Sequence, residues 1–164
     1  MKKKHILLLL PALLVACGGE PASAPPPAAA QIDVKSMSLA AQRFDQFCIA
    51  SLGGARDGVD LANAHYGKAP SPALGHLKIG GDLGGEDIGV QYDTRRKGCM
   101  VTSSSGKAPN GDAELKALAT AYAARNGGTI EGGGMLVYTV KTPTRTATFH
   151  YADARSGLYF LVES

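Results

Sequence analysis

The sequence predicts an α+β domain: two N-terminal helices, an antiparallel sheet of five or six strands, and one further helix inserted between strand groups, all helices packing on one face. Three observations predict this. Apolar residues recur at helical spacing twice before residue 67 and once more after residue 111. The last third is dense in branched and aromatic residues, interrupted by turn signals. No internal repeat marks the chain as a solenoid. The expected order is α-α-β-β-(β)-α-β-β-β.

The first helix is expected over 38–52. Ala40, Phe44, Phe47 and Cys48 share one face, and Gly53-Gly54 close it. Cys48 thereby faces the core. A shorter helix over 57–66 has Asp57 as its N-cap, Val59, Ala62 and Tyr66 on one face, and Gly67, Pro70 and Pro72 as its stop. A strand over 75–79 comes next. Segments 87–92 and 98–103 form two strands joined by the basic turn Asp93-Thr94-Arg95-Arg96-Lys97, with Cys99 in the second. The third helix runs over 112–126. Leu115, Leu118, Ala119 and Tyr122 share its face, Asp112 and Glu114 suit its N-terminal dipole, and Gly127-Gly128 end it. Strands over 135–142, 146–152 and 158–163 make an antiparallel meander, with turns at Pro143 and over 153–157. This order is similar to profilin-like and roadblock-like layouts, but a layout carries no function of its own.

Ahead of the domain, Lys2, Lys3 and Lys4 precede an apolar run from Ile6 to Val15 that is too short to span a bilayer as a helix. This is the pattern of a secretory signal. Its last residues, Leu14-Val15-Ala16-Cys17, resemble the lipobox of bacterial lipoproteins. The resemblance covers about the first tenth of the chain. It implies that residues 1–16 are removed and that Cys17 becomes the acylated first residue of the mature protein. Each buried methylene of a palmitate-type chain contributes about 0.8 kcal/mol, so several chains give a stable anchor to the bilayer. In that family a Gly such as Gly18 after the lipidated Cys fits release to the periplasmic face of the outer membrane. Residues 17–35 carry Pro21, Pro25, Pro26 and Pro27 among small side chains and read as a tether. At about 3.1 Å per residue, it reaches roughly 50 Å. Residues 36–164 are expected to form a single domain.

The chain of 164 residues has 17 Lys plus Arg against 14 Asp plus Glu, a formal charge of +3. The excess belongs to the signal, and without its three lysines the two signs balance. A nucleic-acid role therefore has no electrostatic basis. Three cysteines become an even pair once Cys17 carries lipid, and in an oxidising compartment Cys48 and Cys99 are expected to form a disulfide between the first helix and a central strand. Fifty-one positions apart, with Cys48 on an apolar helix face, they do not resemble a redox pair such as C-x-x-C.

His65, His76 and His150 have no His, Cys or acidic residue at metal-ligand spacing, so no metal or cofactor is expected. His150 alternates along a strand and reads as a surface or half-buried residue. No G-x-S-x-G elbow is present, although a triad assembled in space from His65, His150 and Ser103 to Ser105 stays open. The acidic, Gly-rich run over 80–87 lacks the ligand order of a calcium loop and reads as a solvated loop. Gly132-Gly133-Gly134 suggests a bulge or a loop before a strand. Arg95, Arg96 and Lys97 are the candidate partner-binding surface, against the plainer account of a charged hairpin tip. The expectation is thus a non-catalytic envelope lipoprotein whose domain binds a protein or another envelope component. A periplasmic hydrolase and a small-ligand sensor or carrier on a profilin-like sheet are the alternatives.

Overall fold

In α3 (Gly111–Arg125), Leu115, Leu118, Ala119 and Tyr122 recur every three or four residues, and all four are buried. Asp112 and Glu114 occupy its first turn and Arg125 its last, complementing the helix dipole. Glu114 also reaches across to another helix. Its carboxylate accepts from the backbone N and the hydroxyl of Ser38, at 2.7 Å each. Ser38 is the N-cap of α1 (Leu39–Arg43), where its Oγ accepts from the amide of Ala41.

The computed structural model describes residues 32–52, 56–73, 76–79, 82–83, 85–93, 97–104, 108, 110–131, 134–154 and 157–164. Cys17, the tether before residue 32, Gly53-Gly54, Arg95, Arg96, Ser105 and Gly132-Gly133 lie outside the described residues.

The first helix is a composite. After α1 the backbone widens into a π-helical segment, Phe44–Ile49, before closing at Ala50. Widening brings Phe44, Phe47, Cys48 and Ile49 all into the core, where three consecutive side chains of a regular α-helix would fan apart over about 200°. The expected face of Ala40, Phe44, Phe47 and Cys48 is buried throughout. A second helix, α2 (Gly58–Tyr66), is capped by Asp57, which accepts from the amide of Asp60 at 2.9 Å, and stops at the left-handed Gly67.

The strands are β1 (Ser71–Ala73), β2 (His76–Ile79), β3 (Asp82–Leu83), β4 (Glu86–Asp87), β5 (Gly89–Asp93), β6 (Gly98–Ser103), β7 (Thr129–Glu131), β8 (Val137–Lys141), β9 (Thr146–Ala154) and β10 (Gly157–Glu163). Among the described residues, β1-β2-β5-β6-β10-β9-β8-β7 form one antiparallel sheet, and β3 with β4 forms a separate small ribbon. The α+β class agrees with the sequence and the helix–strand order largely does, β1, β3 and β7 being strands the expectation did not include. Six strands of four or more residues make up the body of the sheet, as expected, and three-residue strands extend it at each edge. One expectation is corrected: the acidic run after residue 80 is no free loop, since it contains the β3–β4 ribbon and buries Leu83 completely.

Alternation separates the two sheet faces. Val90, Cys99, Val101, Phe149, Phe160 and Val162 point to the buried side. Phe44 stacks on Phe160 with ring centroids 5.5 Å apart and meets Phe149 edge-on, and Tyr122 of α3 leans on the same Phe149. Met100, Thr102, His150, Tyr159 and Leu161 occupy the opposite side and are half-buried.

Candidate functional site

Cys48 in the π-helical segment and Cys99 in β6 are bonded, with Cα atoms 5.2 Å apart. Burial of Phe47 and Cys48 on one side and of Cys99 and Val101 on the other brings the two backbones together here. Gly58 opens α2 directly over this bond. A Cβ at that position would overlap Cys99 Sγ, so the close approach of helix and strand requires a residue without a side chain. The disulfide thus fastens the first helix to the sheet at the point where the second helix begins.

A polar cluster lies at the edge of the helical layer. Arg43 grips Glu86 of β4 in two-pronged fashion, with Nε donating to Oε2 at 2.7 Å and a second terminal nitrogen donating to Oε1. The Tyr66 hydroxyl donates to the same Oε2 at 2.5 Å, and the guanidinium carbon lies 6.0 Å from the Tyr66 ring centre. Gln46 accepts from Arg43 at 2.8 Å and lies 3.2 Å from His65 Nδ1. Bonding to Arg43, reinforced by Tyr66, holds the Glu86 carboxyl below the usual carboxylate range. Arg43 is pushed up by the same bond to Glu86. Burial, and then donation to Glu86, pushes Tyr66 up to about 12. Every polar group at the centre of the cluster is satisfied, which suits a clamp between α1, α2 and β4.

The sequence treated Glu86 as part of a solvated loop, placed Tyr66 only on the packing face of the second helix, and passed over Arg43. Their partners are 43 and 20 positions away, so no local spacing marks them. Next to Glu86, Asp87 accepts from Ser104 Oγ at 2.8 Å, and Ser103 Oγ lies 3.4 Å from its other oxygen.

Among the described side chains, His65 and His150 do not converge. His65 sits on α2 against Phe47 and Tyr66. His76 is in β2, paired to Ala73 and Asp93. His150 is on β9, on the sheet side opposite Phe149, with Nε2 3.9 Å from Glu163 Oε2. Ser103 Oγ is directed to Asp87 Oδ2 at 3.4 Å. Among the described residues, no group of three or more His, Cys, Asp or Glu is placed to hold a metal ion. No described helix is long and apolar enough to cross a membrane.

Lys97, the described member of the expected basic surface, is exposed and takes a left-handed backbone with φ of 52° as it turns the chain into β6. It borders a cavity of about 400 Å³ at the end of the sheet. Ser51 follows the first helix, Tyr92 is the penultimate residue of β5, Thr144 and Arg145 lie in the β8–β9 turn, and Cys99 also lines the space. Burial pushes the Tyr92 phenol up, Asp57 adds to that, and the Arg145 charge opposes it. This is the described cavity in which the basic turn and the disulfide meet.

No family model matches this chain, and comparison with characterised proteins and with solved structures returned no significant match.

Proposed function

We propose that this protein is a lipid-anchored envelope lipoprotein that presents a small disulfide-linked domain for binding a protein or another envelope component. The observation that carries the reading is how the cysteines divide. Of the three, Cys48 and Cys99 are bonded to each other, leaving Cys17 at the end of the Leu14-Val15-Ala16 run. A buried disulfide suits an oxidising compartment, and the leader pattern supplies the route there. Acylation at Cys17 then attaches the domain to the periplasmic face of the outer membrane through the Pro/Ala-rich residues 17–35. The domain, 36–164, stands off the bilayer on that tether, and its helices lie against one face of the sheet.

A catalytic role receives no support from His65 and His150, which lie on different sides of the sheet. The anchor is tested by growing cells with a radiolabelled fatty acid. The wild-type chain should incorporate label and partition with detergent, and Cys17→Ala should do neither; labelling of Cys17→Ala would overturn the assignment. The binding role is tested by cross-linking the anchored protein in intact cells and identifying what co-purifies. Absence of any envelope neighbour together with turnover of a substrate would replace the binding role with an enzymatic one.

A further inference from the structure

The cavity beside Lys97 combines features that a turn made only for solubility does not need. Lys97 and Arg145 arrive from two different turns, β5–β6 and β8–β9, yet line the same 400 Å³ space. Neither has an ion-pair partner among the described residues, although the domain has carboxylates in plenty and pairs Arg43, Arg125 and Lys141 with them. No Asp or Glu side chain lines the cavity, and Leu52 and Ser164 complete its lining. Asp57 is the acidic group whose charge reaches Tyr92, and its oxygen is already engaged in capping α2.

The neutral donors point to the same chemistry. Ser51, Tyr92 and Thr144, each carrying a hydroxyl, line the same cavity as the two cations. Ser51 Oγ donates to the Cys48 carbonyl at 2.7 Å, which occupies a carbonyl at the helix end that would otherwise repel an anion. The lining is rigid at Cys99, which is tied to Cys48. The space exceeds what a bare inorganic ion fills and lies within the range of small organic ligands, about 300–1,000 Å³.

We propose that this cavity is a binding site for a phosphate ester, with Arg145 and Lys97 taking the phosphate oxygens and the Tyr92 and Thr144 hydroxyls taking the remaining acceptors and the attached alcohol. A planar guanidinium fork beside a point-charge ammonium, backed by hydroxyls, offers more donors than the two oxygens of a carboxylate can use, and a phosphate supplies three. The same chemistry is offered by a free phosphate ester in solution and by a lipid headgroup. The site is formed by the domain alone and does not depend on acylation of Cys17.

The full chain in non-ionic detergent is titrated by calorimetry with glycerol 3-phosphate, with glycerate as its carboxylate counterpart, and with monomeric dihexanoyl phosphatidic acid against dihexanoyl phosphatidylcholine. Saturable binding of either phosphomonoester is expected, weakened about tenfold or more by Arg145→Gln or Lys97→Gln. Arg145→Lys should recover part of the loss, and Arg125→Gln, outside the cavity, should change nothing. Thermal melts and thiol counts matching wild type establish that the variants are folded. Binding of glycerol 3-phosphate assigns a soluble ester, and binding of phosphatidic acid alone assigns a lipid headgroup. The proposal is overturned if neither phosphate binds, if glycerate binds equally well, or if the Arg145 and Lys97 variants bind as wild type.

Discussion

Glu86 carries the densest set of polar contacts at the scale of single residues, and its energetics have a definite sign. Its carboxyl is held below the ordinary value of 4.5 by Arg43 and Tyr66, so its contribution is present above about pH 4.5 and is lost as pH falls through the depressed value. Glu86→Ala should cost roughly 1–3 kcal/mol at pH 7, measured by urea unfolding, and the gap to wild type should narrow below pH 4. Tyr66 behaves in the opposite sense. Its phenol is raised from 10.0 to about 12, so the neutral form contributes stability below pH 10 that is lost as pH rises through 12. Tyr66→Phe should delete the step near pH 12 from the ultraviolet titration of the folded protein. The bonding of Glu86 to Arg43 and Tyr66 was not legible in the sequence, although the helical face of Tyr66 was, because polar partners meet through tertiary packing and leave no periodic trace. Cys48 and Cys99 were legible, because an apolar helix face and an even thiol count restrict where sulfur can go.

Among the elements, α3 and strands β6, β8, β9 and β10 could be read to within a few residues, since each is long enough to show its period against its background. Strands β1, β3, β4 and β7 could not, being two or three residues long and held by backbone pairing that any side chain permits. The π-helical segment escaped for a related reason: its buried Phe47-Cys48-Ile49 run fits an α-helix at either end, and only packing decides that the turn widens. The entry of α2 over the disulfide gives the sharpest test at this scale. Gly58→Ala places a methyl where Cys99 Sγ sits, and since both sides are pinned, we expect a loss of about 1–3 kcal/mol in a thermal or urea melt. Gly67→Ala, at an open position with φ of 68°, meets no neighbour and should cost about 1 kcal/mol through backbone strain alone.

For the whole molecule, the Cys48–Cys99 bond closes a loop of 51 positions that contains α2 and strands β1 to β5. The chain-entropy model gives about 4 kcal/mol for such a closure. The Cys48→Ala/Cys99→Ala double variant should unfold at correspondingly lower urea, with a larger slope as its denatured state expands, and thiol counting on the denatured wild-type domain should find neither sulfur free. The placement of β10 has a consequence of a different kind. It follows every other described strand in sequence and yet lies between β6 and β9 in the middle of the sheet. Until residue 163 has emerged, β6 and β9 face each other across an empty lane and the two halves of the sheet have no common backbone. Joining the two halves therefore waits on β10, and neither half can complete the sheet before that strand is in place.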